Sequence, residues 1–116
     1  MKQLFVIYGK PATGKNELVS ALVGDYAEYW SGELINKEKG VFCIDDHYTH
    51  NEVIDRIIEL FKEGFKDFRK FEGTTIYNIR KIIVVRYQNF IKEEVEKIRN
   101  EVNDEVLIST FEAKRY

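Results

Sequence analysis

Two glycines and a lysine near the start of the chain are spaced as in loops that bind phosphate groups. Residues 9–16, GKPATGKN, fit the phosphate-loop pattern G-x-x-x-x-G-K-[ST] at every position except the last. Gly9 and Gly14 let the backbone fold around an anion so that successive N–H groups point inward. Lys15 adds a positive charge on a long side chain. The segment is therefore predicted to hold the outer phosphates of a nucleotide.

The elements on either side of this loop are those that the chemistry requires. Residues 4–8, LFVIY, are apolar without alternation, as in a parallel strand covered on both faces. After the loop, Val19 and Val23 lie at helical spacing with Leu18 and Leu22, and Gly24 ends that helix. The positive end of the helix dipole would face the same anion. The alternative is a Gly-Pro turn that matches the pattern by chance.

The last position of the pattern is Asn16, where Ser or Thr would bind Mg²⁺ through a hydroxyl. An Asn carbonyl is also a hard oxygen ligand, but it is longer and differently placed. Two interpretations stay open at this point. Either the site works with rearranged metal binding, or it is a remnant of a nucleotide site.

A pair of acids follows a second buried strand. Residues 41–44, VFCI, are apolar, and Asp45 and Asp46 come directly after them. Open parallel sheets bind ligands at the carboxyl ends of their strands, so we expect both acids beside the phosphate loop. Asp45 would hold Mg²⁺, and Asp46 would polarise the attacking water. The alternative is that two acids simply begin a loop or cap a helix.

Further elements follow from periodicity and turn signals. We expect strands at 27–30, 76–79, 81–86 and 105–110, the first of them short, and a polar loop at 36–40. A helix is expected at 89–103, supported by a Glu93 to Lys97 pair. The tail at 111–116 is expected to fray. A capping box of Thr49 and Glu52 would begin a helix that buries Val53, Ile54, Ile57, Ile58 and Phe61 and ends near Gly64. The Phe65, Phe68 and Phe71 stretch, interleaved with basic residues, is core packing or a loop for single-stranded nucleic acid.

Length and composition indicate one globular domain over residues 1–116. The chain is 44% hydrophobic and 33% charged, and its net charge of −2 gives no overall attraction to nucleic acid. Cys43 stands alone, which excludes an internal disulfide. No run reaches membrane-spanning length and no signal peptide precedes the first strand, so a cytoplasmic location without membrane contact is the expectation.

The order of these segments resembles the ATPase domain of small-virus and plasmid replication initiators, the superfamily 3 helicases. The resemblance rests on the phosphate loop, YW at 29–30, IDDHY at 44–48, EGTT at 72–75 and RKIIVV at 80–85. It implies ATP and Mg²⁺ as ligands, single-stranded DNA or replication proteins as partners, and an oligomer. Asn16 departs from the family pattern. The Asn that ends the family's sensor strand falls near Tyr87, and no Arg can be assigned as the arginine finger.

The predicted fold is a three-layer α/β domain with a central, mainly parallel sheet and helices on both faces. The family's topology implies that strand 81–86 lies between strands 4–8 and 41–44, with strand 105–110 on the other side of strand 4–8. Direct contact between strands 4–8 and 41–44 would instead indicate a kinase.

The predicted function is ATP binding, with Mg²⁺-dependent hydrolysis left open. The alternatives are a small nucleoside or nucleotide kinase and a degenerate interaction module. Catalysis is assigned to Asp46 and Lys15, and metal binding to Asn16 and Asp45. The predicted nucleotide-binding residues are Gly9, Pro11, Ala12, Thr13, Gly14, Lys15, Asn16 and Glu17.

Overall fold

The computed structural model describes residues 1–10, 19, 21–24, 27–30, 32–46, 52–68, 73–103 and 105–114. Val19 and residues 21–23 are helical. The further elements, in chain order, are β1 (Lys2–Tyr8), β2 (Glu28–Trp30), β3 (Glu33–Asn36), β4 (Val41–Asp45), α1 (Val53–Glu63), β5 (Phe65–Asp67), β6 (Thr75–Tyr77), β7 (Lys81–Arg86), α2 (Lys92–Glu101) and β8 (Val106–Glu112).

A six-stranded mixed sheet organises the α/β fold, in the order β2-β3-β4-β7-β1-β8. Strands β4, β7, β1 and β8 run parallel, whereas β3 pairs antiparallel with both β2 and β4. The predicted strand order is confirmed, because β7 lies between β1 and β4 and β8 lies on the other side of β1. β1 and β4 are therefore not neighbours, whereas a kinase arrangement would have required them to be.

The apolar runs lack alternation because both faces of the sheet are covered. In β7, Ile82 and Val84 belong to a buried cluster that includes residues of α1 and α2. Ile83 and Val85 belong to a second cluster, which includes Val19 and Val23. Successive strand residues point to opposite faces, so a run of four apolar residues serves both clusters.

Strand β3 is absent from the sequence-based prediction, which placed a polar loop at residues 36–40. Its last residue, Asn36, is buried because its side chain is satisfied on both sides. The Asn36 Nδ2 donates to the carbonyl oxygen of Val23 at 2.9 Å, and its Oδ1 accepts from the N–H of Lys39 at 3.2 Å. The turn occupies residues 37–40 only.

The helices differ from prediction mainly at their ends. Glu52 is the N-cap of α1 and makes no side-chain cap, so its predicted role as third residue of a capping box is wrong; Thr49 lies outside the described residues. The predicted end at Gly64 is confirmed. α2 is shorter than residues 89–103, and Lys97 pairs with Asp55 on α1 at 3.1 Å. No helix in the described ranges is long and apolar enough to cross a membrane.

A two-stranded antiparallel sheet of β5 and β6 follows α1. Phe65 in β5 is buried, in line with a core role, whereas Phe68 directly after β5 is 73% exposed. Phe71 lies outside the described residues. Of the two alternatives for this stretch, core packing therefore applies to Phe65, whereas Phe68 is exposed as in a loop.

The end of the chain was predicted to fray from residue 111, and for residues 111–113 this is wrong. Phe111 and Glu112 continue β8 and pair with Ile7 and Tyr8 of β1. The N–H of Ala113 donates to the carbonyl oxygen of Tyr8 at 2.7 Å. Backbone pairing with a distant strand, invisible in the local charge pattern, orders this segment.

Candidate functional site

The described part of the predicted site lies along one edge of the sheet. Gly9 and Lys10 follow β1, and Asp45 ends β4 with Asp46 directly after it; β7 lies between β1 and β4. Parallel strands lie about 4.8 Å apart, so the ends of β1 and β4 are roughly 10 Å apart. The expectation that the acids emerge at the same edge as the start of the loop is confirmed. The remaining predicted residues lie outside the described ranges: Pro11, Ala12, Thr13, Gly14, Lys15, Asn16 and Glu17.

Position 9 requires a glycine, both for its backbone conformation and for its close contact with Ala113. Its φ is +151°, a conformation that side chains disfavour, and a Cβ there would lie 2.5 Å from the carbonyl oxygen of Ala113. Its N–H donates to the carbonyl oxygen of Arg86 at 3.1 Å. This N–H is therefore used within the sheet, and the assignment of Gly9 to nucleotide binding stays a prediction. Gly9 shapes the turn that leaves the sheet.

Asp45 is half-buried and faces a different environment from its neighbour. Its N–H donates to the carbonyl oxygen of Gly32 at 2.7 Å. Burial raises the pKa of the Cys43 thiol to about 12, and the charge of Asp45 adds to that shift. Cys43 and Asp45 are two residues apart on β4, so their side chains lie on the same face of the sheet.

Asp46 contacts the strand that separates the two halves of the site. Its N–H donates to the carbonyl oxygen of Val85 at 2.9 Å, and its Oδ2 lies 3.3 Å from Nε of Arg86. The acid predicted to polarise water is thus ion-paired in this structure. Activation of water by Asp46 would require that pairing to weaken.

Arg86 is the residue that the sequence-based assignment missed. It ends β7, and its guanidinium carbon lies 4.2 Å from the centre of the Phe90 ring, a cation–π contact. The available signal was its position, since Arg86 is the first of the polar residues at the carboxyl end of a buried strand. Among 18 Lys and Arg residues, nothing local marked this one out.

A cavity of about 630 Å³ opens at the ends of β1, β7 and β8. It brings the polar residues 87–89 after β7 together with the start of the loop, and the end of β8 also lines it. Its lining residues are Tyr8, Gly9, Lys10, Tyr87, Gln88, Asn89, Glu112, Ala113 and Lys114.

Metal-binding groups at this edge are few. The described residues contain no group of three or more His, Cys, Asp or Glu side chains that could hold a metal ion. Asp45 supplies one carboxylate at the strand end, a hard oxygen donor of the kind that Mg²⁺ takes alongside waters and substrate phosphates. A carboxylate in that position fits a magnesium ion bound mainly through water and substrate oxygens.

Comparison of the chain with protein-family models, curated proteins and solved structures finds no match. The chemistry of this edge is therefore inferred from its geometry. It combines a glycine turn, two carboxylates and a guanidinium within about two strand spacings, together with an adjoining cavity. Such a set can bind an anion and a hard cation side by side.

Proposed function

We propose that this chain binds ATP at the carboxyl edge of β1 and hydrolyses it with Mg²⁺, as a minimal ATPase core of the replication-initiator type. The observation that carries the proposal is the strand order. Because β7 separates β1 from β4, the loop at Gly9 and the acids Asp45 and Asp46 face each other across a polar strand end. In this proposal the fold is a three-layer phosphate-loop domain.

The size of the edge fits the proposed ligand. About 10 Å separates the ends of β1 and β4, which leaves room for the β- and γ-phosphates over β7. The loop amides of residues 10–16 and the ammonium group of Lys15 would hold the phosphates. The cavity beside β8 is on the opposite side of the loop from the acids and has room for the rest of the nucleotide.

The residues divide the chemistry of phosphoryl transfer among them. Asp45 and Asn16 would hold Mg²⁺, which when bound would supply positive charge beside the phosphates. Asp46 would accept a hydrogen bond from the attacking water and orient it in line with the bond that breaks. A polar side chain among Tyr87, Gln88 and Asn89 would contact the γ-phosphate. These roles extend the residue assignments made from the sequence.

One observation favours a second candidate, a module that binds ATP without turnover. The Asp46 carboxylate is ion-paired with Arg86, which lowers its capacity to activate water. Asn16 in the hydroxyl position points the same way. No described feature favours a kinase. Single-stranded DNA and replication proteins remain proposed partners, and Phe68 is an exposed aromatic side chain of the kind on which bases stack.

The proposal is tested by calorimetric titration of the wild type and of Lys15→Ala with ATP and Mg²⁺, followed by phosphate-release assays. Lys92→Ala, at a lysine 84% exposed on α2, is the matched control. We expect ATP binding in the wild type and the control and none in Lys15→Ala. Equal affinity in Lys15→Ala would refute the site assignment. Binding without phosphate release would select the second candidate.

A further inference from the structure

Arg86 occupies the centre of the proposed site. It is the last residue of β7, and its register partner on β1 is Tyr8, the residue before Gly9. On the other side of β7, Asp45 pairs in register with Val85, so Asp46 lies beside Arg86. A phosphate chain that ran from the loop toward the acids would cross the end of β7.

The guanidinium of Arg86 is held in place, but two of its donor atoms, Nε and Nη1, make no hydrogen bond within the described residues. The Phe90 ring lies 4.2 Å below the guanidinium carbon and fixes the group. Nε and Nη1 are buried and have no hydrogen-bond partner within the described part of the chain. The Nε to Asp46 distance of 3.3 Å allows an ion pair, but the N–H geometry does not make it a hydrogen bond.

Buried donor atoms that make no hydrogen bond are costly, because neither water nor protein replaces the lost hydrogen bonds. An anion with two adjacent oxygens would satisfy a guanidinium fork, and a phosphate has that geometry. The Asp46 carboxylate balances the charge of Arg86 but leaves Nε and Nη1 without a hydrogen bond. The terminal phosphate of ATP would therefore compete with Asp46 for Arg86.

We propose that Arg86 receives the terminal phosphate of the nucleotide within the same chain and in doing so releases Asp46. This inference rests on the proposed function and deepens it. Arg86 is then a positioning residue for Asp46 and a sensor of the γ-phosphate. ADP lacks that phosphate and leaves the Asp46–Arg86 pair in place. The two substitutions Arg86→Gln and Asp46→Asn should change ATP affinity in opposite directions, because the second removes the competing carboxylate.

The test compares ATP and ADP binding by calorimetry in the wild type, Arg86→Gln, Asp46→Asn and Arg80→Gln. Arg80 is an exposed arginine just before the other end of β7 and is the matched control. We expect the wild type and Arg80→Gln to prefer ATP over ADP by about ten- to hundredfold, as for charge-assisted hydrogen bonds. Arg86→Gln should lose that preference, and Asp46→Asn should increase it. An unchanged preference in Arg86→Gln overturns the proposal.

A measurement on the unmutated chain covers the case in which Arg86→Gln does not fold. The ¹⁵Nε–¹Hε resonance of Arg86 should shift on addition of ATP or inorganic tripolyphosphate and stay in place with ADP. A resonance that does not shift on addition of either ATP or tripolyphosphate overturns the role of Arg86. A shift with tripolyphosphate but no binding of ATP keeps the role of Arg86 and refutes the proposed nucleotide function.

Discussion

The N–H of Gly9 donates a hydrogen bond to the carbonyl oxygen of Arg86, 3.1 Å away. On the other side, the N–H of Ala113 donates to the carbonyl oxygen of Tyr8 at 2.7 Å. Tyr8 and Gly9, where the chain leaves β1, are thus hydrogen-bonded to the segments on both sides, at the ends of β7 and β8. Whatever the loop binds, its starting point is fixed by the sheet.

Gly9→Ala should destabilise the fold more than a glycine substitution that meets open space. A Cβ at Gly9 would lie 2.5 Å from the Ala113 carbonyl oxygen, so the backbone directly after β8 must shift, at a cost of roughly 1–3 kcal/mol. Gly73→Ala is the control, since Gly73 also has a positive φ, +109°, but a Cβ added there would have no atom within 4 Å among the described residues. Urea unfolding measures both. Equal losses of unfolding free energy in Gly9→Ala and Gly73→Ala would contradict a tight contact between Gly9 and Ala113.

Lys37→Met should be strongly destabilising, because it removes the ammonium group that is ion-paired with a buried carboxylate. Lys37 Nζ lies 2.8 Å from Oδ2 of Asp67, whose side chain is 2% exposed, and 3.1 Å from Glu28. We expect a loss of roughly 2–4 kcal/mol in the free energy of unfolding, since Lys37 itself is partly exposed. Denaturant unfolding checks this value.

Two variants show whether the Lys37 effect comes from the buried charge. The double variant Lys37→Met, Asp67→Leu should recover most of the lost stability, because the buried carboxylate is removed together with the lysine, and Glu28, the other partner of Lys37, is partly exposed to water. Lys97→Met, which removes an exposed pair with Asp55, should cost far less. A double variant as unstable as the single one would show that packing, not charge, dominates.

The same ion pair predicts a loss of stability at alkaline pH. The hydrogen bond to Asp67 raises the pKa of Lys37, and Glu28 adds to the increase. A raised pKa in the folded state contributes stability that is complete below the unfolded value of about 10.4 and disappears as pH rises through the folded value. The difference in unfolding free energy between wild type and Lys37→Met should shrink above about pH 10.4. A difference that stays constant as the pH rises well beyond that value would contradict the assignment.

The sequence predicted the central sheet well and its borders poorly. Strands β1, β4 and β7 are apolar runs buried on both faces, and such runs can be recognised as strands from the local sequence without knowing which strands they pair with. β3 was missed because Glu33 and Asn36 at its ends are polar, and both form hydrogen bonds in the folded chain with residues distant in sequence, Arg56 and Val23. The extension of β8 to Glu112 depends likewise on β1.

The site divides in the same way. Loop, acids and strand ends follow from spacing along the chain, so their common edge was predictable. The pairing of Asp46 with Arg86 and the close contact of Gly9 with Ala113 depend on which strands become neighbours. Neither contact has a signature in the local sequence.

The Cys43 thiol should be unreactive in the folded chain. Burial, with a smaller contribution from the Asp45 charge, raises its pKa to about 12. At pH near 8.5, the unfolded value, the folded thiol is ionised roughly a thousandfold less. Alkylation by iodoacetamide should therefore be that much slower in the native chain than in urea. Similar rates in both conditions would show that Cys43 is accessible.

Asn16→Thr should raise the rate of ATP hydrolysis, because it restores the hydroxyl that the phosphate-loop pattern provides for Mg²⁺. We expect an increase of about tenfold or more, equivalent to about 1.4 kcal/mol of transition-state stabilisation. Phosphate release at saturating ATP and Mg²⁺ is the readout, with Asn103→Thr, an exposed site after α2, as control. Unchanged hydrolysis with normal ATP binding would show that Asn16 does not limit turnover.

The central claim is that a nucleoside triphosphate binds at the carboxyl edge of β1, β7 and β4. Its most direct test is a map of backbone amide chemical shifts as ATP and Mg²⁺ are added to the wild type. We predict that the changes concentrate at residues 9–16, 45–46 and 86–89 and leave the opposite edge, including residues 37–40 and 80–81, unaffected. Changes centred on that opposite edge, or no changes at millimolar ATP, would contradict the account.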